Sequence, residues 1–118
     1  MLAGIVVRGD GMGKGLGYPT ANLNLPRNQV MFAGGVYAAT AKLDKREYRG
    51  ALVINQNPWK IEIYLFDYLG PDFYGSHMSV TPIQKVSEIE QYDSLEELKQ
   101  KIEDDIVLIR DFFAEKKL

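Results

Sequence analysis

The chain has no cysteine and a single histidine, His77. Disulfides and thiolate metal sites are therefore excluded, and a multi-histidine metal site or a Ser-His-Asp triad has too few members. No apolar run is long enough to span a bilayer. The apolar start at 2–7 is halted by Arg8, so it is also too short for a secretory core and reads as a first strand. An excess of positive charge is missing too: Lys and Arg number 14 against 16 Asp and Glu, a net charge of -2. A surface dedicated to nucleic acid is not expected. There is no linker, repeat or low-complexity segment. The 118 residues read as one domain, 1–118, expected to be cytoplasmic and monomeric, with no membrane partner.

What the chain does have is glycine, concentrated in one place. Gly9, Gly11, Gly13, Gly15 and Gly17 alternate through a run that also carries Lys14 and closes on Pro19-Thr20-Ala21-Asn22. A packed core needs no such run. Glycine at this density fits a loop that bends tightly or lets a ligand approach the backbone, and Lys14 makes phosphate the first ligand to consider. Two familiar phosphate loops fail. Lys14 is followed by Gly15 rather than Ser or Thr, and the spacing by two, leading into a strand, is not the dinucleotide fingerprint.

Alternation marks the other strands. At 20–25, Ala21, Leu23 and Leu25 share one face, and Thr20, Asn22 and Asn24 the other. Segments 35–43 and 47–54 form a hairpin about Asp44-Lys45-Arg46, followed by a polar loop at 55–58. At 60–66, Ile61, Ile63 and Leu65 oppose Glu62, Tyr64 and Phe66. A last strand covers 77–86, with Pro82 marking an edge or a bulge. Ser94 and Glu97 form a capping box, and Leu95, Leu98, Ile102, Ile106, Ile109 and Phe113 then recur at helical spacing. The spacing predicts a helix over 95–115 lying on the outside of the sheet. Asp104 and Asp105 diverge by about 100° on that helix and are expected to be solvated rather than a metal pair. About six strands without βαβ alternation predict an antiparallel closed or nearly closed barrel capped by the helix.

The glycine run joined to Pro19-Thr20-Ala21-Asn22, the strand 61–68 carrying Glu62, the Asp72-Phe73-Tyr74-Gly75 segment and the helix start at 92–98 together resemble the ATP-dependent riboflavin kinase family. The resemblance covers nearly the whole chain. It implies a mainly β, six-stranded antiparallel Greek-key barrel with a C-terminal helix. It implies transfer of the ATP γ-phosphate to the ribityl 5′-hydroxyl of riboflavin, giving FMN and ADP, with Mg²⁺ or another divalent cation.

Residue by residue, the resemblance implicates Thr20 and Asn22 in holding the nucleotide phosphates and the metal. It implicates Gly9, Gly11 and Lys14 in covering the nucleotide, and Glu62 as the base toward the acceptor hydroxyl. Trp59, Tyr68 and Tyr74 are candidates for the flavin side, with rim or core packing as the alternative. Two segments depart from the family pattern. Residues 54–60 run almost directly into Ile61, where members carry a longer loop, and Ser87 stands where the family has an arginine. Both segments border the flavin side in the family. A non-catalytic flavin or nucleotide-binding barrel, and a kinase for another small alcohol, therefore remain alternatives.

Overall fold

A computed structural model describes residues 1–7, 19–70 and 73–116. Six strands form a closed antiparallel barrel: β1 (Leu2–Val7), β2 (Thr20–Leu23), β3 (Gly35–Leu43), β4 (Arg46–Gln56), β5 (Trp59–Leu65) and β6 (His77–Ser87). A 3₁₀ turn, Arg27–Gln29, follows β2, and one long helix, α1 (Leu95–Lys116), ends the described chain. Around the barrel the order is β1-β2-β5-β4-β3-β6. β3, β4 and β5 are joined by hairpins and β6 returns beside β3, which is a Greek key. Among the described residues, no helix is long and apolar enough to cross a membrane.

Local chemistry accounts for the connections. Asp44 and Lys45 both have positive φ, 59° and 117°, as a two-residue primed turn requires between β3 and β4. The polar loop expected at 55–58 is smaller than its composition implied. Asn55 and Gln56 stay in the β4 ladder opposite Lys60 and Trp59, so only Asn57-Pro58 turns the chain. The proline expected to disturb the last strand sits beside an irregularity. Ala39 pairs with Pro82 but Ala38 pairs with Gln84, leaving one extra residue in β6 as a bulge. At the helix start, the Glu97 N–H donates to Ser94 Oγ at 3.2 Å, which is the N-cap bond read from the sequence.

The alternation splits the molecule into two apolar layers. Val6, Leu23, Leu52, Ile61, Ile63 and Leu65 fill the barrel interior with others of their faces. On the outer face, Val36, Ala38, Ala51, Tyr64 and Phe66 pack against Ile106, Ile109 and Phe113 of α1. The helix thus covers one side of the sheet, and alanines at 38 and 51 keep that side low enough for it to dock.

Candidate active site

β2 and β5 pair antiparallel with Thr20 opposite Tyr64, Ala21 opposite Ile63 and Asn22 opposite Glu62. Directly opposed residues project to the same face with their Cβ atoms about 5 Å apart. Thr20, Asn22 and Glu62, 42 and 40 positions apart in the chain at their closest pairings, therefore share one patch outside the barrel. All three are buried: Thr20 is 5% exposed, Asn22 8% and Glu62 6%. Read as ordinary strand residues, they belonged on a solvated face. A buried carboxylate needs charge or hydrogen-bond partners to be tolerated. One is Lys60, two residues earlier on the same face, with Nζ 3.3 Å from Glu62 Oε1.

Glu62 also forms part of the wall of a cleft between the sheet and α1. The floor is Val36, Ala51, Val53 and Tyr64, and Ile102 and Lys101 face it from the helix. The cavity measures about 170 Å³. Glu62, Glu88, Glu90 and Asp105, with Lys60 and Lys101, also line the cleft, so an apolar floor is bordered by charged side chains, a mix that suits a small ligand with an apolar body and polar groups. Tyr92 borders the same cleft. Its hydroxyl donates to the Glu90 carboxylate, which pushes its pKa up to about 12. Tyr92 is neutral near pH 7 and offers the cleft a hydroxyl rather than a charge.

Thr20 and Asn22 carry hard, neutral oxygens beside a carboxylate. That donor set fits Mg²⁺, which keeps several waters and takes further ligands from phosphate. Among the described residues there is no separate cluster of three or more His, Asp or Glu side chains. Gly9, Gly11 and Lys14 lie outside the described residues. The residues bounding that segment, Val7 and Pro19, are close to the patch. Val7 pairs with Asn22, and the Leu65 N–H donates to the Pro19 carbonyl at 2.9 Å.

Three aromatic candidates are not brought to this face. Trp59 alternates with Lys60 and points with Ile61 toward the barrel-interior layer. Its indole N–H donates to the Leu25 carbonyl at 2.7 Å, and Arg27 lies 5.0 Å over the ring. Tyr68 stacks on Phe73 at 5.3 Å and meets Tyr48 edge-on at 5.2 Å. Tyr74 is tilted against Phe73 at 6.2 Å. These rings pack on the interior cluster.

One expectation is overturned. Asp105 is not solvated: it is 5% exposed, while its neighbour Asp104 is exposed. Asp105 accepts from the Ser87 hydroxyl at 2.8 Å and pairs with Lys101. The two aspartates do diverge, as adjacent helical residues must, but one of them faces the sheet. A sequence signal for this existed. Position 105 lies three after Ile102 and four before Ile109, inside the apolar stripe.

A family model for riboflavin kinase matches residues 1–113. The bifunctional riboflavin kinase/FMN adenylyltransferase of Escherichia coli (strain K12) is 35% identical over 120 residues; the match covers 96% of this chain and 38% of that protein's length. Among solved structures, a Streptococcus pneumoniae protein described as a macrolide-efflux protein superposes with a TM-score of 0.74 at 28% identity, covering 92% of this chain and 35% of the other. The riboflavin kinase from Trypanosoma brucei shares the fold, with a TM-score of 0.68 at 23% identity over 98% of this chain and 78% of the other. By sequence and by the barrel that carries Thr20, Asn22 and Glu62, the chain belongs to the riboflavin kinase family.

Proposed function

We propose that this chain catalyses phosphoryl transfer from ATP to the ribityl 5′-hydroxyl of riboflavin, giving FMN and ADP, in the cytoplasm where ATP is supplied. The observation that carries this reading is the buried Glu62 carboxylate, opposite Asn22 and at the wall of a cleft with an apolar floor. Phosphoryl transfer asks little covalent chemistry of a protein. It asks for alignment, compensation of phosphate charge, and a destination for the hydroxyl proton.

The cleft beneath α1 would hold the flavin ring and exclude water from it. Glu62 would accept the hydroxyl proton as the new O–P bond forms and the bond from Pγ to the ADP oxygen breaks, with ADP taking that electron pair. Lys60 would hold the carboxylate in one orientation. The Thr20 hydroxyl and the Asn22 carboxamide would hold the phosphates and a Mg²⁺ ion, whose chemistry here is to offset charge on the phosphate oxygens. By the family pattern, Gly9, Gly11 and Lys14 would cover the nucleotide.

Incubation with riboflavin and Mg·ATP, followed by separation of the flavins, tests the reading. FMN and ADP in equal amounts are expected. No FMN at high protein concentration, across several divalent cations and nucleotides, would overturn it. Flavin binding without turnover would then point to a non-catalytic binding barrel, and phosphorylation of a different alcohol to an altered acceptor.

A further inference from the structure

Ser87, where the family arginine is missing, lies on a single row that crosses five strands. Ser87 of β6 pairs with Val36 of β3, Val36 with Val53 of β4, Val53 with Glu62 of β5, and Glu62 with Asn22 of β2. Opposed residues of an antiparallel ladder project to one face, so the row is polar at both ends and apolar between them. Ser87 and Glu62 are three strand spacings apart, roughly 14 Å along the sheet.

The far pole is a closed triad. The Ser87 hydroxyl donates to Asp105 Oδ1 at 2.8 Å. The Lys101 ammonium donates to Ser87 Oγ at 2.8 Å and to Asp105 Oδ2. Both carboxylate oxygens and the hydroxyl are thus engaged within the triad. An ammonium has three N–H donors, and these bonds use two. Lys101 is 15% exposed at its side chain and lines the cleft. Among the described residues this mostly buried cation bonds two partners and keeps one further donor, in a cleft whose floor of Val36, Ala51 and Val53 is apolar and whose lining also includes Glu88 and Glu90. An unused donor in such a place costs free energy until a ligand accepts from it.

We propose that Lys101 is a specificity-determining residue of the acceptor site, donating a hydrogen bond to a ring carbonyl at the polar end of a flat, uncharged heterocycle. The body of that heterocycle lies across Val36 and Val53, and its hydroxyl-bearing chain reaches Glu62. Asp105 balances the charge of Lys101, so the pole selects a neutral carbonyl rather than an anion. Ser87, too short to reach a ligand while it is held in the triad, orients the ammonium. This inference rests on the riboflavin reading above and adds to it the group that is recognised.

Fluorescence titration with riboflavin, with lumiflavin (which lacks the ribityl chain) and with the 2-thio and 4-thio analogues of riboflavin tests it. The double variant K101M/D105N removes the donor without leaving Asp105 charged and alone, and circular dichroism checks that it folds. The variant is expected to bind riboflavin and lumiflavin about tenfold more weakly, as loss of one hydrogen bond to a charged donor implies. It is also expected to lose the preference of the unaltered protein for carbonyl over thiocarbonyl rings. An equal loss for both kinds of ring, or no loss, would overturn the proposal. FMN formation by the unaltered protein separates the two claims. Lys101-dependent flavin binding without FMN would remove the kinase reading alone. FMN formation with unchanged ring selectivity in K101M/D105N would remove the role of Lys101 alone. No flavin binding by the unaltered protein would remove both.

Discussion

Asn22 and Glu62 stand directly opposite one another across the β2–β5 ladder, both nearly fully buried. They come from segments with different sequence character, one closing a glycine run and one inside the most regular strand. The pairing sets a carboxamide beside a carboxylate that lines the cleft, the arrangement on which the proposed phosphoryl transfer rests.

Their roles separate kinetically. Glu62→Gln preserves size but accepts no proton, so kcat is expected to fall by roughly 10²–10⁴, the range for a positioned general base. Affinity for Mg·ATP should stay within a few-fold. Asn22→Ala should raise the KM for Mg·ATP about tenfold while leaving riboflavin affinity unchanged. Steady-state kinetics with each substrate varied in turn checks both; a Glu62→Gln enzyme with full turnover removes the base assignment.

Trp59→Phe separates packing from flavin contact. Phenylalanine fills most of the site but leaves the half-buried Leu25 carbonyl without its indole donor. Stability should fall by about 1–2 kcal/mol with riboflavin affinity unaltered. Urea unfolding and flavin fluorescence give the two readouts, and a large loss of flavin affinity in a stable variant would return Trp59 to the acceptor site.

Gly50→Ala should destabilise the barrel by about 1–3 kcal/mol, as overpacking does. A Cβ at position 50 would lie 2.5 Å from the Tyr64 carbonyl oxygen and 3.3 Å from the Ile63 side chain. The first obstacle is backbone in a ladder and cannot swing aside. A thermal midpoint equal to that of the unaltered protein would show that β4 and β5 separate more easily than this contact implies.

Asp105→Ala leaves the Lys101 ammonium mostly buried with its counter-charge gone. Breaking one partner of such a pair costs about 3–5 kcal/mol, and α1 should loosen from the sheet. By contrast Asp104→Ala, on the solvated side of the same turn, should change stability by less than about 0.5 kcal/mol. Chemical denaturation of the two variants side by side makes the comparison, and equal stabilities would contradict the burial of Asp105.

Local structure and family were legible in the residues themselves. Alternation at 60–66 declared a strand with a two-sided character, Ser94 and Glu97 declared where α1 begins, and the motif closing on Asn22 together with Glu62 carried the family resemblance. These signals are local because side-chain period and capping depend only on near neighbours. What each face meets emerges only in the folded chain. Glu62, Thr20 and Asn22 are polar residues on a strand face, and nothing within a few residues of them distinguishes a solvated face from one enclosed by other elements. Asp105 stands beside the solvated Asp104 in the chain, yet it pairs with Lys101 one turn earlier on the same helix and meets Ser87, which the docking of α1 brings to it. Trp59 sits next to Lys60, yet pleating sends it to the opposite side of the sheet from Glu62. Strand order and helix docking arise from contacts between distant segments. They set Glu62 opposite Asn22 and Ser87 against Asp105, pairings that no local pattern encodes because the partners lie far apart in the chain.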